Sequence, residues 1–466
     1  MAGHPARRNR GRRTKRDHRW PFGSKLKSDH YTEAGPRVIR LKNIGDTEFV
    51  DAKAHISEAH FSTLQKHRVF PGDIVIAALG ENPPRSCLVP EHLGPAIVKA
   101  DCIRFKAGPR ILPKFLNYVL NAPDLRRYAK GIVHGVGRPR LNLGEIKALP
   151  IPVPPLPDQR RIVAEIEKQF TRLDAGIAAL RRTQANLKRY RAAVLKAACE
   201  GRLVPTEAEL ARKDRQKFES GDALLARVLS DRRQSWQGRH KYKEPAVADS
   251  TNLQRLPEGW VWATVEQLAF LDLGFAFKSA EFEASGIRLL RGENLEPGRF
   301  RWADTRYWPR SKLEEFKNLL IREGEIVLAM DRPLISSGLK IARARADDVP
   351  CLLVQRMARF RPVVEKMTSF LFCALNTDRF IKHLVGGQQG TQLPHISGDG
   401  IQSFPIALPP LAEQTRIVAE VERRLSVVDE LETVVNANLQ RATRLRQSIL
   451  SQSFRIEPKM PLQGGA

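Results

Sequence analysis

The sequence predicts an α+β fold in which two globular domains of mixed α/β structure are separated by two long helices. Three observations predict it. A proline-rich lead-in followed by a long helical pattern occurs twice, each helical pattern carries an apolar seam, and each globular part repeats the same framework residues. Because one long helix cannot bury its own apolar stripe, the two are expected to pair as an antiparallel coiled coil. The chain would then contain a pseudo-twofold internal repeat.

The duplicated stretch reads LPIPVPPLPDQRRIVAEIEKQ at 149–169 and FPIALPPLAEQTRIVAEVERR at 404–424. Its prolines fix φ and lack a backbone donor, so the lead-in is extended rather than helical. Asp158 and Glu413 then place carboxylates where the first turn of a helix has unpaired N–H groups and a positive dipole end. Each copy therefore predicts the start of a long helix, at about 158–199 in the first case.

Apolar residues in both helices step by four and three positions, close to the period of a coiled coil. Helices of about 40 residues would be about 60 Å long. The pair is either a ruler between two domains or a generic dimerisation zipper, and Asn438 either fixes its register or is a tolerated polar site. The predicted seam residues are Ile162, Ile166, Phe170, Leu173, Ile177, Leu180, Leu187, Tyr190 and Val194 in the first helix, and Ile417, Val421, Leu425, Val428, Leu431, Val435, Asn438, Ala442, Leu445 and Ile449 in the second.

Length and charge set the broad class of the protein. A chain of 466 residues is too long for one core and indicates at least two domains. A formal net charge of +27 favours nucleic acid as the partner, with an anionic membrane surface as the alternative. No apolar run approaches the roughly 18 residues that cross a bilayer, so we expect a soluble cytoplasmic protein. The five cysteines form no CxxC pair and are expected to be small buried residues.

Composition and the repeat together predict the domain boundaries. Residues 1–27 are dominated by Arg and Lys, and they form either a tail that holds DNA phosphates or an extension without a dedicated role. The remaining segments are a first domain at 28–153, the first long helix at 154–201, a connector with a short helix at 202–254, a second domain at 255–408, the second long helix at 409–456 and a tail at 457–466.

Within the first domain, alternating and β-branched runs predict strands at 36–44, 72–80 and 95–105. The segment 111–130 predicts a helix or a helix pair. In the connector, the amphipathic stretch 222–236 predicts the short helix.

The second domain repeats the framework of the first but not its loops. KSAEFEASGIRLLRGENL at 278–295 matches KSDHYTEAGPRVIRLKNI at 27–44, and EGEIVLAM at 323–330 matches PGDIVIAA at 71–78. Two similar scaffolds with unlike loops suit a molecule that reads two different targets at a fixed separation. DNA offers such targets about one helical turn apart.

These elements together resemble the specificity subunit of Type I restriction-modification systems. The resemblance is carried by LPxPPLxxQxxIVAxxE, the LPEGW opening of a domain, the IRxxNI and GDI strands and the Gly-rich segment before the proline run. It implies that each globular domain is a target recognition domain and that the chain reads a bipartite, asymmetric site in double-stranded DNA. It also implies two methyltransferase subunits and, in the full complex, two restriction and motor subunits as partners.

The resemblance further implies that this chain has no cofactor of its own, because S-adenosylmethionine, ATP and Mg²⁺ belong to the partner subunits. One departure concerns the first domain. The second domain opens with LPEGWVWATV, whereas the first has only HRWPFGSKL at 18–26, so its opening strand is expected to be shortened or replaced by the basic tail.

Catalytic motifs are missing from the sequence. Asn82-Pro83-Pro84 is followed by Arg85, where amino-methylation of a flipped base needs an aromatic residue. No phosphate-binding GxxxxGK[ST] loop and no HExxH metal motif occur. A non-catalytic DNA-recognition subunit is therefore the leading interpretation. A fused enzyme and a coiled-coil adaptor that binds nucleic acid without sequence specificity are the alternatives.

Candidate DNA-binding residues fall in two groups. Bidentate side chains near the Gly-rich segment of each domain are candidates for base reading. Residues repeated in both frameworks are candidates for phosphate contact or for a structural hydrogen bond. For each one, an ordinary solvated surface group is the alternative. The candidates are Arg138 and Arg140 in the first domain, Gln388, Gln389, Gln392 and His395 in the second, and the framework pairs Lys27 with Lys278, Arg40 with Arg291 and Asn43 with Asn294.

Overall fold

The computed structural model describes residues 26–80, 82–134, 139–236, 241–386 and 395–454. It has the mixed helix and strand content that the sequence predicts. The chain divides into two compact units, Met1–Arg181 with Asn436–Ala466 and Arg182–Val435. Within the described ranges, no helix is both long and apolar enough to cross a membrane.

The first unit contains one mixed sheet and one antiparallel sheet. Its strands are β1 (Tyr31–Ile39), β2 (His55–Ile56), β3 (Arg68–Val69), β4 (Ile74–Ala77), β5 (Arg85–Leu88), β6 (Ala96–Val98) and β7 (Cys102–Phe105). One sheet has the order β2-β1-β6-β3, in which β1 is parallel to β6 and the other pairs are antiparallel. The other sheet has the antiparallel order β5-β4-β7.

The prediction of one strand at 95–105 was wrong. A turn at Lys99–Asp101, closed by the Cys102 N–H to the Lys99 carbonyl at 3.1 Å, separates β6 from β7. The two strands belong to different sheets, and Asp101 takes a φ of +67° at the junction. Apolar alternation continues through the turn, so it did not reveal the break.

Most helices of the first unit cover the β5-β4-β7 sheet, whereas α1 (Glu58–Thr63) packs against β1, β2 and β6 of the other sheet. The others are α2 (Pro113–Leu120), α3 (Pro123–Lys130), α4 (Leu143–Lys147) and the beginning of α5 (Leu156–Cys199). The predicted helix pair at 111–130 is thus confirmed, and a proline in the first turn starts each member. Phe170 of α5 and Ile449, near the end of the second long helix, lie in the same core as α2, so the start of one long helix packs near the end of the other.

The second unit has more strands than the first. They are β8 (Val261–Thr264), β9 (Ala269–Leu273), β10 (Ile287–Leu290), β11 (Leu295–Glu296), β12 (Arg299–Phe300), β13 (Tyr307–Trp308), β14 (Leu320–Ile321), β15 (Ile326–Ala329), β16 (Leu334–Ile335), β17 (Gly338–Leu339), β18 (Ile341–Arg343), β19 (Cys351–Leu353), β20 (Met357–Pro362) and β21 (Pro405–Leu408). Its helices are α6 (Glu207–Asp214), α7 (Gly221–Gln234), α8 (Val265–Leu268), α9 (Thr368–Leu375), α10 (Asp378–Val385), α11 (Gly398–Gln402) and α12 (Leu411–Ser453), which continues into the first unit.

The sheet order repeats between the units. The sheet β13-β10-β19-β14 has the order and strand directions of β2-β1-β6-β3, and β18-β15-β20 corresponds to β5-β4-β7. The framework duplication that the sequence predicted is therefore present in the fold.

The units differ in their opening strands. In the second unit β9 extends one sheet along β20, and β8 pairs with β21. Among the described residues of the first unit, neither strand has a counterpart. Phe105 on β7 is consequently 40% exposed, whereas Phe360 at the matching place on β20 is fully buried. The segment 18–25, where a shortened opening was predicted, lies outside the described residues.

The connector contains two helices, α6 and α7, of which α7 is the predicted one. In the second unit the end of α5 and the start of α12 share one core, in which Val194 and Ala198 lie with Ile417 and Val421. Arg191 of α5 also forms an ion pair with Asp429 of α12.

The predicted seam is only partly buried. In α12 one buried series, which includes Val421, Val428 and Val435, recurs once per heptad, whereas Leu431 and Leu445 are 46% and 52% exposed. Tyr190 of α5 is also exposed. Asn438 Oδ1 accepts a hydrogen bond from Arg441 of its own helix, which favours a tolerated polar site over a register-fixing one.

Candidate nucleic-acid interface

An Arg–Asn clasp closes the end of the first framework strand. Asn43 Oδ1 accepts from the Arg40 N–H at 2.9 Å, and Asn43 Nδ2 donates to the carbonyls of Val50 and Ala52, each at 2.9 Å. The Arg40 guanidinium donates to the carbonyls of Ala52 and Lys53. The clasp therefore fixes the return of the loop after β1 onto the end of that strand.

The second unit has the same clasp. Asn294 Oδ1 accepts from the Arg291 N–H at 3.4 Å, and Asn294 Nδ2 donates to the carbonyls of Arg301 and Asp304. Arg291 Nη2 donates to the Asp304 carbonyl at 2.6 Å, and the guanidinium pairs with Glu293.

The clasp bears on the two predicted roles of the asparagines. Asn43 and Asn294 are each 1% exposed, so neither amide reaches a base or a phosphate without breaking these bonds. These contacts favour the structural hydrogen bond, and a DNA contact by Asn43 or Asn294 stays a prediction. Arg40 and Arg291 are half-buried, whereas Lys27 and Lys278 are exposed.

Arg140 lies at the root of the Gly-rich segment in the first unit. Its backbone bridges Leu79 beyond β4, and Leu141 N–H donates to the Ala78 carbonyl at 2.9 Å. Its guanidinium lies 2.7 Å from the carboxylate of Asp101, in the turn between β6 and β7. An exposed cation is thus anchored where this segment rejoins the framework.

His395 occupies the matching root in the second unit. Its backbone bridges Asp331, and Ile396 N–H donates to the Met330 carbonyl at 2.9 Å. The His395 ring nitrogen Nδ1 lies 2.6 Å from Asp331 Oδ1, and Arg356 Nη1 lies 2.5 Å from Asp331 Oδ2. Burial would raise the pKa of Asp331, but the hydrogen bonds from His395 and Arg356 hold it below its usual value.

The two roots share a backbone position and differ in chemistry. One offers a guanidinium paired with an acid, and the other offers an imidazole and a guanidinium that share an acid. The other predicted base readers, Arg138, Gln388, Gln389 and Gln392, lie outside the described residues. Sequence reasoning missed Asp101, Asp331 and Arg356. One feature of the sequence pointed to two of them, because Asp101 and Arg356 lie at the same spacing from the aligned framework.

The described residues bear on two features, metal-ligand clusters and reactive thiols. They contain no group of three or more His, Cys, Asp or Glu side chains that could hold a metal ion. Four of the five cysteines are buried, and burial raises the pKa of the Cys87 and Cys102 thiols to about 12. These two thiols therefore stay protonated near neutral pH and are poor nucleophiles.

Comparison with known proteins identifies the class. A family model for the Type I restriction modification DNA specificity domain matches residues 39–188 and 257–441. The chain therefore belongs to this family and carries two matching regions, which confirms the resemblance seen in the sequence.

Two curated relatives are named specificity subunits, in agreement with the prediction of a non-catalytic specificity subunit. The chain is 29% identical over 291 residues to the Type I restriction enzyme EcoAI specificity subunit of Escherichia coli, covering 62% of this chain and 48% of that subunit. It is 29% identical over 202 residues to the MjaVIII specificity subunit of Methanocaldococcus jannaschii, covering 43% and 47%. The chain thus spans about half the length of these two relatives.

A solved chain has a similar fold. It is described as "Structural basis underlying complex assembly and conformational transition of the type I R-M system" and matches with a TM-score of 0.57 at 18% identity, covering 90% of this chain and 91% of that chain. At this identity the match supports the fold alone.

Proposed function

We propose that this chain is a DNA-recognition subunit that reads a bipartite, asymmetric site in double-stranded DNA, with one block read by each domain. The observation that carries this proposal is the pair of loop roots at Arg140 and His395. They leave the same framework at the same place but carry different side chains. Two copies of one scaffold with unlike readers suit two unlike blocks of sequence.

The two long helices are proposed to pair as an antiparallel coiled coil that sets the distance between the two blocks. Support comes from contacts inside each unit. In the first unit Arg446 near the end of α12 lies 2.7 Å from Asp174 of α5, and in the second Arg191 near the end of α5 pairs with Asp429 of α12. Docking about 34–36 Å apart, one helical turn of DNA, would match the twofold symmetry of the DNA backbone.

The chain is also proposed to assemble with two methyltransferase subunits and, in the full complex, two restriction subunits, in the cytoplasm on nucleoid DNA. Exposed apolar residues on the long helices support a docking role. In the first unit a groove of about 400 Å³ is lined by residues that include Leu173, Ile177 and Leu445. In the second unit Val427, Leu431 and Val434 are 46–54% exposed. S-adenosylmethionine, ATP and Mg²⁺ would be bound by those partners.

Sequencing of DNA modifications tests the proposal. The chain is coexpressed with the methyltransferase encoded beside it in a methylation-free host, and the host DNA is sequenced for modified bases. We expect copurification and a new split motif, two short unlike blocks around a fixed unspecified gap. Binding that depends on salt but not on sequence, with no motif, would instead support the nonspecific adaptor.

A further inference from the structure

Two framework positions have left-handed backbone in both units. The first is the residue that follows Leu79 and Asp331, which is Gly80 with φ of +140° in one unit and Arg332 with φ of +44° in the other. The second lies in the turn before the last framework strand.

At this second position the first unit has Asp101 with φ of +67°, and the second has Arg356 with φ of +64°. Ala78 N–H donates to the Asp101 carbonyl and Met330 N–H to the Arg356 carbonyl, each near 2.9 Å, so the two turns are equivalent.

The residue types at these positions follow opposite preferences in the two units. Glycine adopts positive φ without penalty, and aspartate is among the residues that tolerate it. An arginine at positive φ is disfavoured because its Cβ crowds the following carbonyl. The first unit thus has residues suited to positive φ at both positions, whereas the second has an arginine at both. Strained residues of this kind concentrate at functional sites.

The two arginines flank the root at His395. Arg356 is 66% exposed in its side chain and pairs with Asp331, which also pairs with His395. Arg332 is the neighbour of Asp331 and is exposed. Within the part of the chain that the structure describes, its guanidinium makes no hydrogen bond or ion pair. Burial lowers the pKa of nearby Lys340. The charge of Glu293 opposes this shift, and the positive charge of Arg332 adds to it.

We propose that Arg332 and Arg356 are additional DNA-contacting residues of the second domain, which the first domain lacks. This inference rests on the proposed function. The DNA phosphates or guanine edges beside the block read by the second domain are the partners that match two exposed guanidinium groups. The strained backbone is then retained for the contact and not for the fold.

The test measures DNA affinity and thermal stability on the full chain. Arg332→Gly and Arg356→Asn replace each arginine with a residue that tolerates positive φ, so both variants are expected to fold. Arg299→Asn removes an equally exposed, ion-paired arginine, 65% exposed in its side chain, whose φ is not positive, and it controls for net charge. The probes are a duplex carrying the split motif found by modification sequencing and a scrambled duplex of equal length.

The proposal predicts opposite changes in the two measurements. The DNA affinity of each variant should be lower than that of wild type by at least about fivefold. The negative slope of log affinity against log salt should become smaller in magnitude by about one. The Tm of Arg332→Gly should rise, and that of Arg356→Asn should not fall. Arg299→Asn should keep its affinity within about twofold.

Unchanged affinity in both variants, or a fall in the Tm of Arg332→Gly, would overturn the proposal, because a structural arginine would behave in that way. If the wild-type chain itself did not prefer the motif duplex over the scrambled one, the proposed function would fail, and this inference with it. The wild-type comparison therefore separates the two failures.

Discussion

The indole N–H of Trp260 donates to Oε1 of Glu413 at 3.0 Å, and both side chains are buried. Glu413 Oε2 also accepts from the backbone N–H of Glu207 at 2.9 Å, at the start of α6. One carboxylate therefore ties the LPEGW opening of the second domain and the connector to the first turn of α12. The LPEGW element and the start of α12, which lie far apart in the sequence, are therefore in direct contact in the fold.

Trp260→Phe should destabilise the chain by about 1.5–3 kcal/mol at pH 7, because a hydrogen bond to a buried carboxylate is lost. Burial raises the pKa of Glu413 above 4.5, and the Trp260 hydrogen bond opposes this rise. The bond stabilises the charged form, so its contribution is present above the folded pKa and is lost as the pH falls through it. Urea unfolding at several values between pH 7 and pH 4.5 measures the difference between wild type and variant.

Trp262→Phe is the matched control, since Trp262 stacks under Arg379 and has no carboxylate partner among the residues that the structure describes. Its effect should not change over the same pH range. A loss in Trp260→Phe that is equal at all pH values would mean that packing, not the carboxylate bond, is responsible.

Asn43→Ala should cost about 2 kcal/mol or more, because the Arg40 N–H and the carbonyls of Val50 and Ala52 lose their partner. Lys42→Ala, at an exposed position in the same turn, should stay within about 0.5 kcal/mol of wild type. Denaturant unfolding measures both. Full stability of Asn43→Ala combined with weaker DNA binding would contradict the structural role of the clasp and favour a DNA contact by Asn43.

Arg359→Met should be more destabilising than Arg104→Met, although the two arginines occupy the same place in the two frameworks. Arg359 bonds to Asp272 at 2.5 Å, to Glu325 at 3.4 Å and to the Leu320 carbonyl at 2.6 Å. Arg104 bonds to Asp73 and to the Arg68 carbonyl, which correspond to Glu325 and the Leu320 carbonyl. Among the described residues it has no partner that corresponds to Asp272.

Removing Arg359 leaves Glu325 without its ion-pair partner and Asp272 with Arg361 alone, which costs about 3 kcal/mol. The extra partner, Asp272, lies on β9, the strand without a described counterpart in the first unit. Chemical unfolding measures the free energy of unfolding of both variants. Equal losses of stability would contradict the predicted difference.

Leu431→Ala should leave the free chain within about 0.5 kcal/mol of wild type but weaken copurification with the methyltransferase subunit. Leu431 is 46% exposed, so its side chain gives little to the fold and remains available to a partner. Val428→Ala, at a buried position one turn earlier, should lose about 2 kcal/mol of stability. If Leu431→Ala copurifies as well as wild type, this face of the helix is not a docking surface.

Repeated residues made the framework predictable, whereas contacts between distant segments were not. Both members of each clasp pair recur in the sequence, so their shared role could be inferred, but their burial could not. The apolar stripe predicted helices correctly and overestimated the seam at Leu431, because one neighbouring helix covers only one line of the stripe. Nothing in residue type showed that Arg332 and Arg356 have positive φ, or that Asp331 joins Arg356 to His395.

The central claim is that the two domains read separate blocks of one DNA site. The most direct measurement is modification sequencing of DNA from hosts that express the methyltransferase with the wild-type chain, with Arg140→Ala or with His395→Ala. We predict that each substitution weakens or relaxes one block of the split motif, a different block in each variant, and leaves the other block and the gap unchanged. If both substitutions altered the same block, or the wild-type motif were continuous, the account would be contradicted.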